Sequence, residues 1–140
     1  MGLGEDNREG RAMKRILFIE DDVTYSQLMS WILKEHNFEV ITVGTVEAAI
    51  SAIQEIDFDC WVVDYWLPGL TNGVEFIQQA RKLGYKTGCL IITCLLPYEI
   101  DSKIDGLDIW SVVEKGNISD ESFITKIEEA IRFTELVREV

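Results

Sequence analysis

From Lys14 onward the chain alternates short apolar runs with longer stretches of helical period, and this rhythm limits the fold more than any other feature of the sequence. Apolar runs at residues 15–19, 39–43, 60–63, 89–93 and 111–114 have the length and bounds of strands. Between them, Leu28, Trp31, Ile32 and Leu33 fall on one helical face, Val46, Ala49, Ile50 and Ile53 on a second, and Val74, Phe76, Ile77 and Ala80 on a third. A weakly patterned fourth helix is expected around residues 98–106. A fifth, capped by Ser119 or Asp120, carries Phe123, Ile124, Ile127, Ala130, Ile131 and Phe133. A helical crossover returns the chain in the same direction, so the strands must run parallel. Right-handed crossovers then close a doubly wound α/β sheet with helices on both faces. The run at 39–43 alternates most, which places it toward the sheet edge.

A chain of 140 residues with 47% hydrophobic content can bury one core and is too short for two domains of ordinary size. The domain is expected over residues 14–140, with residues 1–13 a disordered tail or cloning remnant. A net charge of -12 argues against direct contact with nucleic acid or an anionic membrane, both of which need clustered Lys and Arg. No apolar stretch approaches the ~20 residues of a membrane helix, and no signal segment is present, so a cytoplasmic location is expected. Cys60, Cys89 and Cys94 lie in apolar runs without metal-site spacing and read as reduced core thiols.

The polar residues that end these strands carry the chemistry. Glu20, Asp21 and Asp22 follow the first strand, Asp64 the third and Lys115 the fifth, while Thr93 closes the fourth. Open parallel sheets gather their strand ends into one crevice, so carboxylates far apart in sequence become neighbours there. Oxygen donors with no His or Cys among them favour Mg²⁺ or Mn²⁺. A metal, an ammonium and a hydroxyl around a free carboxylate can cradle a phosphoryl group while that carboxylate attacks it. Asp64, at the end of the most apolar central strand, is the candidate nucleophile. Asp22 stands where a helix cap is wanted, and capping outweighs metal binding there.

With these residues in this order, the chain resembles the response-regulator receiver family over roughly residues 14–133. The matching segments are ILFIEDD at 16–22, VVDYWLPG at 62–69 followed by Gly73, LIITC at 90–94 and VVEK at 112–115. The resemblance implies a five-stranded sheet in flavodoxin-like order 2-1-3-4-5. It implies that Glu20 and Asp21 hold Mg²⁺ with Asp64, that Trp66 adds its backbone carbonyl, and that Asp64 is the phosphoacceptor. Thr93 and Lys115 would be the phosphoryl-sensing pair, and the donor a histidine kinase or phosphotransfer protein. A homodimer through the fourth and fifth helices is compatible with this reading.

Four positions depart from the family pattern. Gly73 lies one residue further from Asp64 than usual, so the intervening loop is expected to bulge. Cys94 replaces a small residue beside the pocket. Gly116 replaces a proline. Val112 stands where an aromatic switch is common, leaving Trp110 or Tyr98 as substitutes. Trp66 and Leu95, two positions after Asp64 and Thr93, cannot orient a hydrolytic water through a carboxylate or amide, so self-dephosphorylation is expected to be slow. Phosphatases of the haloacid dehalogenase type need a nucleophile after strand one with a second Asp two positions on, which Glu20-Asp21-Asp22 does not supply. A flavodoxin-like electron carrier needs a phosphate-binding loop where this chain is acidic. The remaining alternative is a receiver-like module that no longer accepts phosphate and serves only for protein binding or dimerisation.

Overall fold

The computed structural model describes residues 13–67, 72–94 and 104–139. Within them the elements run β1 (Lys14–Ile19), α1 (Val23–Glu35), β2 (Phe38–Val43), α2 (Val46–Glu55), β3 (Cys60–Asp64), α3 (Gly73–Lys82), β4 (Cys89–Thr93), β5 (Ser111–Glu114) and α4 (Asp120–Arg138). All four strand pairings are parallel, and the sheet order is β2-β1-β3-β4-β5, as expected. Strands β3 and β4 are buried along their whole length, whereas β2 at the edge is mostly half-exposed. The helix expected at 98–106 lies mostly outside the described residues.

Strand side chains alternate between faces, and this splits the core in two. Leu17, Ile19, Trp61, Val63 and Ile91 meet α2 and α3 on one side. Ile16, Phe18, Val62, Leu90 and Ile92 meet α1 and α4 on the other. Each helix starts at a side-chain cap, which satisfies otherwise orphaned N–H groups. Asp22 caps α1, Thr45 α2 and Ser119 α4, while Asn72 and Glu75 form a reciprocal capping box on α3.

Two expectations need correction. In α1 the buried residues are Ser26, Met29, Ile32 and Leu33, while Leu28 and Trp31 are 54% and 62% exposed. The helix carries apolar residues on two adjacent stripes, and the sheet selects the one containing Ser26. That serine is buried at little cost because its hydroxyl donates to the Val23 carbonyl at 3.2 Å. Cys60 and Cys89 are core thiols, but Cys94, just past the end of β4, is exposed.

The amino-terminal edge of the sheet is locked to α4. Gly88 donates its N–H to Thr134 Oγ1 at 2.7 Å, and that hydroxyl donates onward to the Asp59 carbonyl at 2.8 Å. The approach is close enough that a Cβ on Gly88 would lie 2.3 Å from the Ala130 carbonyl oxygen. The Asp59 carboxylate takes the Arg15 N–H at 2.8 Å and the Arg138 guanidinium at 3.2 Å. One end of the sheet is therefore fixed in place, and the opposite, carboxyl end is left to the loops.

Candidate functional site

Register brings the site together. Ile19 pairs with Val63, so Glu20 and Asp64, each the next residue, stand side by side at the carboxyl ends of β1 and β3. Thr93 ends β4 fully buried, and its carbonyl accepts the Lys115 N–H at 2.8 Å, which fixes the start of the loop after β5. From there Lys115 Nζ donates to Glu20 Oε1 at 2.8 Å and to Asp64 Oδ2 at 3.1 Å. The other oxygen of each carboxylate meets a backbone N–H: Asp22 donates to Glu20 Oε2 at 3.1 Å, and Trp66 to Asp64 Oδ1 at 3.1 Å. Both carboxylates are held from two sides, which sets their orientation.

Asp21 completes the group. One carboxylate oxygen from each of Glu20, Asp21 and Asp64 lies within 4.8 Å of the others, with Asp21 exposed and the other two buried. Asp22 is not a member; its Oδ1 accepts the Tyr25 N–H at 3.0 Å and caps α1, as its position suggested. Three carboxylates against one ammonium leave the crevice short of positive charge. Its all-oxygen donor set fits a hard divalent cation such as Mg²⁺.

The electrostatics follow from this crowding. Burial, then the hydrogen bond and charge of Glu20, push the Asp64 carboxyl up to about 7 against the opposing pull of Lys115. Burial pulls the Lys115 ammonium down, but its bonds to Glu20 and Asp64 outweigh that and leave it raised.

Trp66 is 52% exposed, its ring edge-on to Tyr65 with centroids 4.8 Å apart. Residues 68–71 and Leu95 and Tyr98 lie outside the described residues, and with them the expected bulge and part of the expected shield. The ends of the loop after β3 are joined: Trp66 bridges to Asn72, and Gly73 donates to the Tyr65 carbonyl at 2.9 Å. Gly116 turns the loop after Lys115 at φ +76°, a conformation closed to proline, so the substitution at this position goes with a different backbone path. Val112 is half-buried. The Trp110 N–H bonds to Cys89 at the far end of β4 from Thr93, and its indole donates to Glu129 on α4 at 3.0 Å. Trp110 therefore stands at the wrong end of β5 to sense Thr93 directly.

Tyr25 was not singled out from the sequence. Lys115 Nζ lies 4.6 Å from the centroid of its ring. A lone tyrosine in an amphipathic helix gives no signal of such a role, because its partner is ninety residues away and only the fold joins them.

The family model described as the response regulator receiver domain matches residues 16–128. Among curated proteins, the chain is 34% identical over 95 residues to the transcriptional regulatory protein YbdJ of Bacillus subtilis, covering 68% of this chain and 40% of that protein. It is 32% identical over 93 residues to the cell cycle response regulator CtrA of Brucella ovis, covering 66% and 39%. The chain thus spans about 40% of the length of these curated relatives. Among solved structures, a CheY-like receiver domain protein from Methanospirillum hungatei aligns with a TM-score of 0.80 at 22% identity, covering 89% of this chain and 98% of that one. The response regulator TrrA of Thermotoga maritima, solved in complex with Mg²⁺ and BeF, aligns with a TM-score of 0.75 at 23% identity, covering 84% and 99%.

Proposed function

Because this chain belongs to the response regulator receiver family, we propose that it accepts a phosphoryl group on Asp64 from a histidine kinase or phosphotransfer protein in a two-component pathway. The observation that carries this reading is the Lys115 ammonium bridging Glu20 and Asp64 at the carboxyl edge of the sheet, with Asp21 beside them. In the transfer, an ionised Asp64 oxygen attacks phosphorus in line. The new P–O bond forms as the P–N bond of the donor phosphohistidine breaks, and the departing imidazole nitrogen keeps that electron pair and takes up a proton.

Glu20, Asp21, Asp64 and the Trp66 backbone carbonyl would hold Mg²⁺ or Mn²⁺, which when bound neutralises charge on the phosphoryl oxygens. Lys115 moves its ammonium from Asp64 Oδ2 to a phosphoryl oxygen, and the Thr93 hydroxyl reports the modification to the loop that follows it. A net charge of -12 does not favour contact with DNA, so any DNA-binding output of the kind named in longer relatives is assigned to a separate segment or partner. The fold has no helix among its described residues that is long and apolar enough to cross a membrane. Two buried free thiols accord with a reducing, cytoplasmic setting.

Intact-mass measurement with Mg²⁺ and acetyl phosphate is expected to show one added phosphoryl group in the wild type and none in Asp64→Asn. Modification of that variant at another residue would overturn the assignment. Failure with every donor, a phosphorylated kinase included, would leave a receiver-like binding module in its place.

A further inference from the structure

We infer that Tyr25 is a positioning residue for Lys115, its ring face holding the ammonium at the acidic crevice while the bonding partners of that ammonium change. The inference deepens the receiver reading and rests on it. Lys115 carries four rotatable side-chain bonds, so the backbone bond to Thr93 that holds its N–H does not by itself fix where Nζ goes. Two of its holds are Glu20 and Asp64, at 2.8 and 3.1 Å. Both are oxygens that a cation or a phosphoryl group would claim for itself. The third hold is different in kind. The Tyr25 ring is uncharged, binds no metal, and attracts the ammonium through its negative face at 4.6 Å.

Tyr25 is itself well placed to serve as a fixed surface. Its N–H is capped by Asp22 Oδ1 at 3.0 Å, and its ring lies 6.3 Å from that of Phe18 in the core. Lys115 is only 16% exposed by side chain, so the contact is partly desolvated and stronger than one in open water. When the carboxylates are taken up by other partners, the ring face is the contact that stays.

The test compares wild type, Tyr25→Phe and Tyr25→Leu by two measurements. The first is the rate of phosphorylation by acetyl phosphate across a Mg²⁺ titration. Tyr25→Phe is expected to match wild type, and Tyr25→Leu to lower the maximal rate by about 2- to 30-fold, the range spanned by contacts of this kind. The Mg²⁺ concentration for half-maximal rate is expected to stay put, because the ring acts on Lys115 and not on the metal. The second is the NMR shift of the Lys115 ε-methylene protons, which needs no phosphorylation. An upfield ring-current shift is expected in wild type and Tyr25→Phe and lost in Tyr25→Leu, with far-UV circular dichroism unchanged in all three. Lys115 resonances unmoved in Tyr25→Leu, a Phe variant as slow as Leu, or an altered Mg²⁺ requirement would each overturn the inference. A wild type that accepts no phosphoryl group from any donor, a phosphorylated kinase included, would instead overturn the phosphoacceptor reading, while the NMR comparison still decides whether the ring holds Lys115.

Discussion

At the scale of single residues, Asp64 couples the site to pH. Its carboxyl is raised from the ordinary 3.8 to about 7, first by burial and then by Glu20, so between those values the folded chain holds a proton that the unfolded chain releases. Stability of the metal-free protein must therefore fall as pH rises from about 4 to about 7, as far as this group decides it. Mg²⁺ has to displace that proton, so its hold strengthens over the same range. Thermal unfolding with and without millimolar Mg²⁺ is expected to show a larger shift at pH 8 than at pH 6. Asp21→Ala should abolish most of that shift, whereas Asp22→Ala should keep it and lose only about 1 kcal/mol of helix capping. An equal shift at both pH values would show that Asp64 is not the group the metal discharges. On the phosphoacceptor reading proposed above, Trp66 is expected to influence a second property, the lifetime of the phosphoryl group. Its large side chain offers no carboxylate or amide to orient water, so the Trp66→Asn, Leu95→Glu double variant is expected to dephosphorylate faster than wild type once donor is removed. An equal rate would place control of the lifetime elsewhere. Of these residues, Glu20, Asp21, Asp64, Thr93 and Lys115 could be picked out in the sequence because each stands at the end of an apolar strand. Tyr25 could not, since its partner is reached only through the fold.

Among the elements, the strands were the easiest to read, because central parallel strands are buried on both faces and appear as unbroken apolar runs. The face of α1 was not readable. Leu28 and Trp31 offer more apolar surface than Ser26 and Met29, yet they are left outward, since the direction from which the sheet is approached decides which stripe is covered. The junction of β3 and α3 shows how tightly one element constrains the next. A Cβ on Gly73 would stand 2.3 Å from the Asp64 carbonyl oxygen and 2.5 Å from Val63 Cγ1. Neither neighbour can yield without moving the end of β3, because Val63 is wholly buried and the Asp64 backbone lies in the sheet. Gly73→Ala is therefore expected to destabilise the fold by about 1–3 kcal/mol in urea denaturation, and to slow phosphorylation by displacing Asp64 from Lys115. A stable variant with wild-type phosphorylation would mean that α3 shifts as a unit and leaves the site undisturbed. The extra residue between Asp64 and Gly73 was visible as spacing, but the close approach that demands glycine was not.

Over the whole molecule, the two edges of the sheet are built for different tasks. The carboxyl edge gathers three carboxylates whose mutual repulsion is relieved only in part by Lys115, so it stores unfavourable charge that a cation can discharge. The amino edge carries a satisfied network in which Thr134 accepts from Gly88 and donates to Asp59, residues 46 and 75 positions away. No sequence pattern announces that network, because a threonine in a helix ordinarily reads as a solvated position and its partners belong to other strands. Thr134→Val keeps the shape but removes both bonds, leaving the Gly88 N–H facing a methyl group in place of its acceptor. A buried donor left without its acceptor costs about 1–3 kcal/mol, so the variant is expected to lose about that much stability. Its phosphorylation at a temperature where it remains folded should match wild type, because β1, β3 and β4 carry their register past the damage to the far edge. Lys115→Ala is expected to do the reverse, with phosphoryl transfer impaired and little stability lost once Mg²⁺ occupies the crevice. Urea denaturation and intact-mass phosphorylation, run on both variants, separate the two edges. If Thr134→Val slowed the transfer as much as it weakened the fold, the edges would be coupled through the sheet, and the amino edge would have to be counted as part of the site.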